Sequence, residues 1–451
     1  MGRLFGTSGI RAVANVELTP ELALKVGMAI ATYTNGGDVL VAHDTRTSSP
    51  MLESAVTAGL LSGGSTVHRL GLAPTPALAY LTRELGMDAG VMLTASHNPP
   101  EYNGIKVFNS DGVALSPEEQ SRIEEIISSE SYQRRDWRGV GHAVDASGEI
   151  ERYVNAILSA VDLKREWRVV LDPGCGATSA LVPELFRRAG CRVYSVNSQP
   201  DGFFPGRSPN PTEDAVRLAC SMVRDLGADV GFAYDGDGDR VVVIDEEGRY
   251  APLDQSLAAY AAHVVRLHGG GVVATNVEAS MCVDEAVEAA GGRVVRARVG
   301  DVHVAQAVKE HGAVFGGEPC GAWIHPKHHL APDGVLSSLL FLAALETEGA
   351  KPSDFLSGVP VYPVVRVNVP CENSEKPRVM SAVDGRIEGA LQPVDILRVD
   401  GVAAKLSDGW VLVRPSGTEP LIRITAEAKT EERARELADF VVKLVEEAKA
   451  G

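Results

Sequence analysis

Apolar residues recur along the first third of the chain at two spacings, and segments of the two kinds take turns. Over residues 20–34 they fall three and four apart, which predicts an amphipathic helix with Thr19 as its N-cap and Pro20 in its first turn. Asp38-Val-Leu-Val-Ala-His43 is a short apolar run and predicts a buried strand. A helix over 50–61, a strand over 66–70, a helix over 76–85 and a strand over 89–93 follow. Strands separated by helices of this length imply right-handed β-α-β units and a largely parallel sheet.

The same alternation returns twice. Strands at 167–172, 192–196 and 229–234 enclose a helix reaching residue 188 and another over 213–225. A third round runs helix 252–267, strand 271–275, helix 281–290, strand 292–299, helix 302–309, short strand 314–316 and helix 334–348. No residue-level repeat accompanies it. The tail differs: strands near 361–369, 401–406, 409–414 and 421–428 alternate apolar and polar, as half-exposed antiparallel strands do, before a helix over 430–449. The expected fold class is therefore α/β: three similar domains with mixed or parallel sheets, then a smaller C-terminal α+β domain. The boundaries are expected at 1–150, 151–250, 251–358 and 359–451.

Composition narrows the function. With 451 residues, 45% apolar and 23% charged, the chain is long enough for several cores and has a globular balance. Its net charge of −17 leaves no basic footprint for nucleic acid. A phosphorylated substrate would need its cations gathered in one cleft. The longest apolar stretch, 336–345, is interrupted by serines and falls short of the ~20 residues a membrane span needs. The start has no apolar leader, and Gly6 stands where a myristoylation signal wants Ser or Thr. The six cysteines are scattered without a C-x-x-C, which leads us to expect reduced thiols and a cytoplasmic protein.

In each α/β unit a strand empties into a polar, glycine-rich loop, and the carboxyl ends of parallel strands are where such folds place ligands. Three of these loops, with one from the tail, are expected to face one central cleft. Asp235, Asp237 and Asp239 alternate with Gly236 and Gly238 and precede Arg240. Three close carboxylates repel one another without a cation, and their hard oxygens suit Mg²⁺. An EF-hand is excluded, because Arg240 replaces the turn glycine and Val241-Val-Val-Ile244 continues as strand. Ser96 lies in Thr94-Ala-Ser-His-Asn-Pro-Pro100, with His97, Asn98 and Lys106 supplying donors nearby. A serine needs a base or a metal to become a nucleophile, and there is no G-x-S-x-G elbow for a hydrolase triad. Arg414-Pro-Ser-Gly-Thr-Glu-Pro420, with Arg423 beyond, reads as an anion cradle, although a plain hairpin turn would also fit its glycine. Two signals are weaker. Asp172-Pro-Gly-Cys-Gly-Ala-Thr-Ser179 lacks the third glycine of a dinucleotide fingerprint and reads as a tight strand-to-helix turn. His325, His328 and His329 lie outside any predicted helix, where a zincin's pair of histidines must sit.

Taken in order, these loops resemble the α-D-phosphohexomutase superfamily over the whole chain. Phe5-Gly-Thr-Ser-Gly-Ile-Arg11 matches its N-terminal signature, Thr94 to Asn98 its phosphoserine loop and Asp235 to Arg240 its metal loop. Gly317 to Gly321 resembles its sugar loop and Arg414 to Pro420 its phosphate loop. The resemblance implies four domains and a mutase reaction. Ser96 would carry a phosphoryl group and join Asp235, Asp237 and Asp239 around Mg²⁺. It would donate that group to a sugar phosphate's free hydroxyl, giving a bisphosphate whose other phosphate returns to Ser96. Arg11, His97, Lys106 and Arg240 would contact the moving group or handle its proton. Glu318 and Cys320 would meet the sugar, while Arg414, Ser416, Gly417, Thr418 and Arg423 would hold the other phosphate.

Within the superfamily, Gly317-Glu-Pro-Cys-Gly-Ala-Trp-Ile-His325 and Pro332-Asp-Gly334 look most like the archaeal-type phosphoglucosamine mutase branch. That implies interconversion of glucosamine 6-phosphate and glucosamine 1-phosphate. The chain departs from the hexomutase pattern Gly-Glu-x-Ser-Gly-His, with Cys320 for the serine and Ala322 for the histidine. A phosphomannomutase/phosphoglucomutase is the sibling reading. A phosphatase using Ser96 and a non-catalytic phosphosugar-binding protein are the readings from other classes. The expected partners are a phosphorylated hexose or hexosamine and its bisphosphate, with neither nucleic acid nor membrane.

Overall fold

The computed structural model describes residues 4–6, 9–417 and 419–450. Contacts divide the chain into two compact units, Met1–Ala251 with Cys320–Ser357, and Pro252–Pro319 with Gly358–Gly451.

The first unit opens with β1 (Ile10–Val13), α1 (Pro20–Tyr33), β2 (Asp38–His43), α2 (Ser49–Ser62) and β3 (Thr66–Leu72). It continues through α3 (Thr75–Glu84), β4 (Ala89–Leu93), β5 (Tyr102–Asn109), α4 (Pro117–Ser129) and β6 (Ala143–Asp145). The Thr19 hydroxyl caps α1 by accepting the Leu22 N–H at 3.4 Å. The six strands order as β1-β5-β4-β2-β3-β6. β2, β3, β4 and β6 run parallel, as the β-α-β pattern requires, but β5 returns antiparallel to β4 and β1 antiparallel to β5. Apolar residues of α1, α2, α4 and the central strands, among them Ile30, Val56, Ile123, Val41 and Val91, form one buried core.

A second sheet follows from α5 (Ile150–Ala160), β7 (Arg168–Asp172), α6 (Val182–Arg188), β8 (Arg192–Ser195), α7 (Arg217–Leu226), β9 (Val230–Tyr234) and β10 (Val241–Ile244). Its order is β10-β9-β7-β8, with β10 antiparallel to β9. The helix expected over 213–225 begins four residues later, at Arg217.

In the second unit, α8 (Leu253–His268) precedes β11 (Gly271–Asn276), α9 (Met281–Ala289), β12 (Gly292–Ala297), α10 (Asp301–His311) and β13 (Phe315–Gly317). β11 pairs in parallel with both β12 and β13. The chain then gives the first unit β14 (Trp323–Ile324), α11 (Gly334–Glu348) and α12 (Pro352–Ser357), where Phe341 of α11 meets Phe232 of β9 edge-on at 6.2 Å.

The second unit resumes with β15 (Val364–Pro370), α13 (Lys376–Leu391), β16 (Asp395–Leu397), β17 (Val402–Lys405), β18 (Gly409–Pro415), β19 (Leu421–Ala428) and α14 (Glu431–Ala450). These strands form an antiparallel sheet of order β15-β19-β18-β17-β16. α13 and α14 contribute Val379, Val383, Ile387, Leu437 and Val441 to its buried core. All six cysteines are free thiols, and no helix among the described residues is long and apolar enough to cross a membrane.

Candidate active site

Ser96 leaves the end of β4 in a loop whose backbone is unusual. Its φ is +51°, in the left-handed region where a residue with a Cβ is strained by roughly 1–3 kcal/mol. The strain is held by neighbours: the Ser96 N–H donates to Thr94 Oγ1 at 2.8 Å, and Thr94 Oγ1 donates to Asp44 Oδ2 at 2.7 Å. Arg46 holds the same loop through main-chain carbonyls. The outcome is a buried hydroxyl, Ser96 Oγ, that donates to Asp235 Oδ2 at 2.7 Å. His97 Nδ1 lies 3.2 Å from the same Oγ.

Asp235, Asp237 and Asp239 occupy the turn between β9 and β10, and all three are buried. Oxygens from the three carboxylates lie within 4.8 Å of one another. The glycines between them are sterically required. A Cβ on Gly236 would stand 2.5 Å from the Ser96 carbonyl oxygen, and one on Gly238, at φ +77°, would stand 2.4 Å from Thr178 Cγ2. The turn predicted at 172–179 packs against this loop, with the Ala177 N–H donating to the Gly236 carbonyl at 2.9 Å.

Lys106, on the returning strand β5, places Nζ 2.8 Å from Asp237 Oδ2 and 2.8 Å from Asp239 Oδ2. Thr75 Oγ1 also donates to Asp237 Oδ2, at 2.6 Å. Arg240 Nε is 3.8 Å from Asp239 Oδ1, and Arg11 Nη1 donates to Asn98 Oδ1 at 3.0 Å. Burial, then the charges of Asp239 and Asp237, raises the Asp235 carboxyl well above the usual range. Burial pushes Asp237 up as well, but the charge and hydrogen bond of Lys106, with the Thr75 hydroxyl, outweigh it and hold Asp237 low. Burial, with the charges of Arg240 and Arg11, pushes the His97 ring down to about 3, so it is neutral at neutral pH.

The donor set fits a hard divalent cation. Asp237 Oδ1 and Asp239 Oδ1 are buried without a hydrogen-bond partner, and unshared carboxylate oxygens of that kind are what Mg²⁺ takes as ligands. Among the described residues this is the one group of three or more His, Cys, Asp and Glu side chains close enough to hold a metal. The histidines at 325–329 are engaged elsewhere: His325 Nε2 meets Ser337 Oγ at 2.8 Å and His329 Nε2 meets Asp333 Oδ2 at 2.9 Å.

The second unit carries the remaining candidates except Cys320. Glu318, just past β13, accepts hydrogen bonds at Oε1 from Asn276 Nδ2 at 2.7 Å and from the Gly300 N–H at 2.9 Å. The loop after β18 is a hairpin turn in which Arg414 and Arg423 are cross-strand partners. Lys376, at the start of α13, anchors it by donating to the Ser416 carbonyl at 2.6 Å. Arg414 donates to Glu278 Oε1 at 2.8 Å and Asp400 Oδ2 at 3.2 Å, and Arg423 donates to Glu419 Oε2 at 2.7 Å. Gly417 has open space around it, and Thr418 lies outside the described residues. Cys320 is half-buried and Ala322 buried, both in the first unit.

Models of the phosphoglucomutase/phosphomannomutase alpha/beta/alpha domains I, II and III match residues 2–134, 151–248 and 252–362, and the model of its C-terminal domain matches 367–444. The chain belongs to the phosphoglucomutase/phosphomannomutase family. Among curated relatives, the probable phosphoglucosamine mutase of Methanopyrus kandleri is 48% identical over 446 residues, covering 99% of this chain and 98% of that protein. The probable phosphoglucosamine mutase of Methanothermobacter thermautotrophicus is 48% identical over 436 residues, 96% of this chain and 95% of that protein. Among solved structures, a family member from Burkholderia thailandensis superposes with a TM-score of 0.89 at 26% identity, covering 100% of this chain and 98% of its own.

Arg46, Thr75, Asn276, Glu278, Lys376 and Asp400 also touch site residues, and nothing in the sequence marks them for it. Each contacts a site residue more than ten positions away in the chain, and none sits in a recognisable loop motif.

Proposed function

We propose that the protein is a Mg²⁺-dependent phosphoglucosamine mutase that interconverts glucosamine 6-phosphate and glucosamine 1-phosphate. The observation that carries this reading is the buried hydroxyl of Ser96 hydrogen-bonded to a cluster of three aspartates. A serine so placed suits a phosphoryl carrier better than a hydrolytic nucleophile, since its partner is a metal-binding carboxylate. The archaeal relatives, both named probable phosphoglucosamine mutases, support the choice of sugar.

In this reading phospho-Ser96 gives its phosphoryl group to the substrate's free hydroxyl. The Oγ–P bond breaks as the sugar O–P bond forms, and the hydroxyl proton passes to the neutral ring of His97, while Lys106, an ammonium between Asp237 and Asp239, contacts the moving group. Ser96, Asp235, Asp237 and Asp239 would hold Mg²⁺, and it would supply charge neutralisation to the transferring oxygens. Arg11 and Arg240 add positive charge around the moving group. The bisphosphate then turns over, and its other phosphate returns to Ser96. Glu318 and Cys320 contact the sugar, and Arg414, Ser416, Gly417, Thr418 and Arg423 hold the phosphate that is not transferred.

The test pairs intact-mass analysis with kcat/KM for glucosamine, glucose and mannose 6-phosphates. A fraction carrying one phosphoryl group, lost together with turnover in Ser96→Ala, is the expected result. Full activity in Ser96→Ala would overturn the phosphoenzyme. Equal or better efficiency with mannose 6-phosphate would replace the sugar assignment with phosphomannomutase.

A further inference from the structure

We infer that Arg46 is the positioning residue that aims Ser96, by gripping the loop that carries it through four main-chain carbonyls; this rests on the proposed reading of Ser96 as the phosphoryl carrier.

Arg46 lies just beyond β2, 50 residues before Ser96, and is 1% exposed. Its Nη1 donates to the carbonyls of Pro99 at 2.6 Å and Tyr102 at 2.8 Å. Its Nη2 donates to the carbonyls of Ser96 at 2.9 Å and Asn98 at 2.7 Å. Its Nε donates to Asp44 Oδ2 at 3.0 Å. Every N–H of the guanidinium is thereby used, each on a different bond.

The loop needs such an anchor. It lies outside the strand ladder, and Pro99 and Pro100 have no N–H to contribute. One planar cation supplies partners to four carbonyls of this partly exposed segment. Asp44 ties the arrangement together, since it accepts from the Arg46 side chain and main chain, from Ser49 Oγ and from Thr94 Oγ1. The ring of Phe204, 5.3 Å from the guanidinium carbon, covers the cation.

The grip on the Ser96 carbonyl acts directly on the residue held at φ +51°, and that conformation points Oγ at Asp235. A lysine cannot replace it: one ammonium nitrogen cannot span four carbonyls and a carboxylate. Loosening the loop should misplace the phosphoryl donor while leaving the sugar and phosphate contacts of the second unit intact. A displacement near 1 Å at a reacting atom costs on the order of 100-fold in rate.

The experiment compares full-length wild type, Arg46→Lys, Arg46→Ala and Ser96→Ala by mutase kinetics and by amide hydrogen exchange over 94–102. For Arg46→Lys, kcat should fall about 100-fold with KM within about threefold of wild type. Exchange over 94–102 should quicken at least about tenfold, while α1 and α14 keep their protection. Millimolar guanidinium should restore part of the turnover of Arg46→Ala and none of that of Ser96→Ala. Wild-type kcat in Arg46→Lys, a rise in KM in place of a fall in kcat, or lost turnover with unchanged loop exchange would each overturn the inference. If wild type bears no phosphoryl group and has no mutase turnover, the functional reading fails. Loop exchange then decides the grip: faster exchange in Arg46→Lys upholds it, and unchanged exchange overturns it. Arg46→Lys carries the test if Arg46→Ala does not fold.

Discussion

Ser96 Oγ donates to Asp235 Oδ2 at 2.7 Å, joining residues 139 positions apart in the chain. Asp235 is also the carboxyl that burial and its two acidic neighbours raise most clearly. Charge at this position therefore works against the metal-free protein. Asp235→Asn should raise the melting temperature of the metal-free protein, by about 2–4 °C for each kcal/mol of repulsion removed. The same substitution should abolish the stabilisation that added Mg²⁺ gives and lower turnover by at least about 100-fold. Calorimetry with and without Mg²⁺, beside a mutase assay, reads both effects; a melting temperature lowered without metal would contradict this account.

Chelation gives a second check. With oxygen ligands throughout, turnover should be lost to EDTA and restored by Mg²⁺ better than by Ca²⁺, whose larger and looser shell misplaces a phosphoryl group. A chelator-insensitive enzyme would show that the aspartates serve another purpose.

Sugar choice should turn on Glu318. Asn276 and the Gly300 N–H, both neutral donors, bond its Oε1. The ammonium of glucosamine 6-phosphate can then gain a charge-assisted contact of about 1.5–3 kcal/mol, roughly ten- to a hundredfold in kcat/KM. Glu318→Gln should remove that advantage and leave glucose 6-phosphate nearly unchanged. Equal losses with glucosamine, glucose and mannose 6-phosphates would mean that Glu318 binds a hydroxyl they share.

Glu278 and Asp400, 2.8 and 3.2 Å from Arg414, compete for it with its proposed phosphate. Glu278→Gln removes one competing charge from a partly exposed pair, worth about 1 kcal/mol. KM for the sugar phosphate should fall about fivefold in consequence. An unchanged or raised KM would show that Glu278 orients Arg414 and does not restrain it.

Asp254, in the second unit, supplies a pH test. Burial, with the charge of Glu427, raises its carboxyl from 3.8 to about 6, while the Ser280 N–H bond opposes the shift. The folded state thus keeps a proton that the unfolded chain has lost, so this group's contribution to stability falls as pH rises from about 4 to 6 and stays low above that. Asp254→Asn keeps the acceptor for Ser280 and should raise the melting temperature at pH 7.5 but not at pH 3.5. Because Asp254 is only half-buried, the gain should be about 1–2 kcal/mol. Equal shifts at both pH values would rule out titration as the cause.

The elements easiest to read from sequence were those whose burial is one-sided or complete. β2 and β4 are apolar runs, and β19 alternates from Ile422 onward. β5, Tyr-Asn-Gly-Ile-Lys-Val-Phe-Asn, conceals itself because its buried polar residues have distant partners: Asn103 bonds Ser48 and Ser49, and Lys106 bonds the aspartates. α13 is masked by Gly385 and Gly389, each costing a helix about 1 kcal/mol, although Val379, Val383 and Ile387 line its buried face at fours. The same distinction runs through the site. Ser96, the three aspartates and the 414–420 turn announce themselves as contiguous loops. Arg46 and Asn276 look like any polar residue after a strand, because what singles them out is the carbonyl or carboxylate that folding brings to them.

The unit that holds Ser96 and the aspartates is not continuous in the chain, since it takes in Cys320–Ser357. Synthesis therefore cannot deliver that unit in one piece. At about 5–20 residues per second, the ribosome needs roughly 5–20 s to go from the end of β10 at residue 244 to the end of α11 at residue 348. Throughout that interval, β9 and β10 lack the helix α11 that covers Phe232, and their apolar face is open to water or to chaperones. A chain cut short at residue 251 should accordingly aggregate, even though it already encodes Ser96 and all three aspartates.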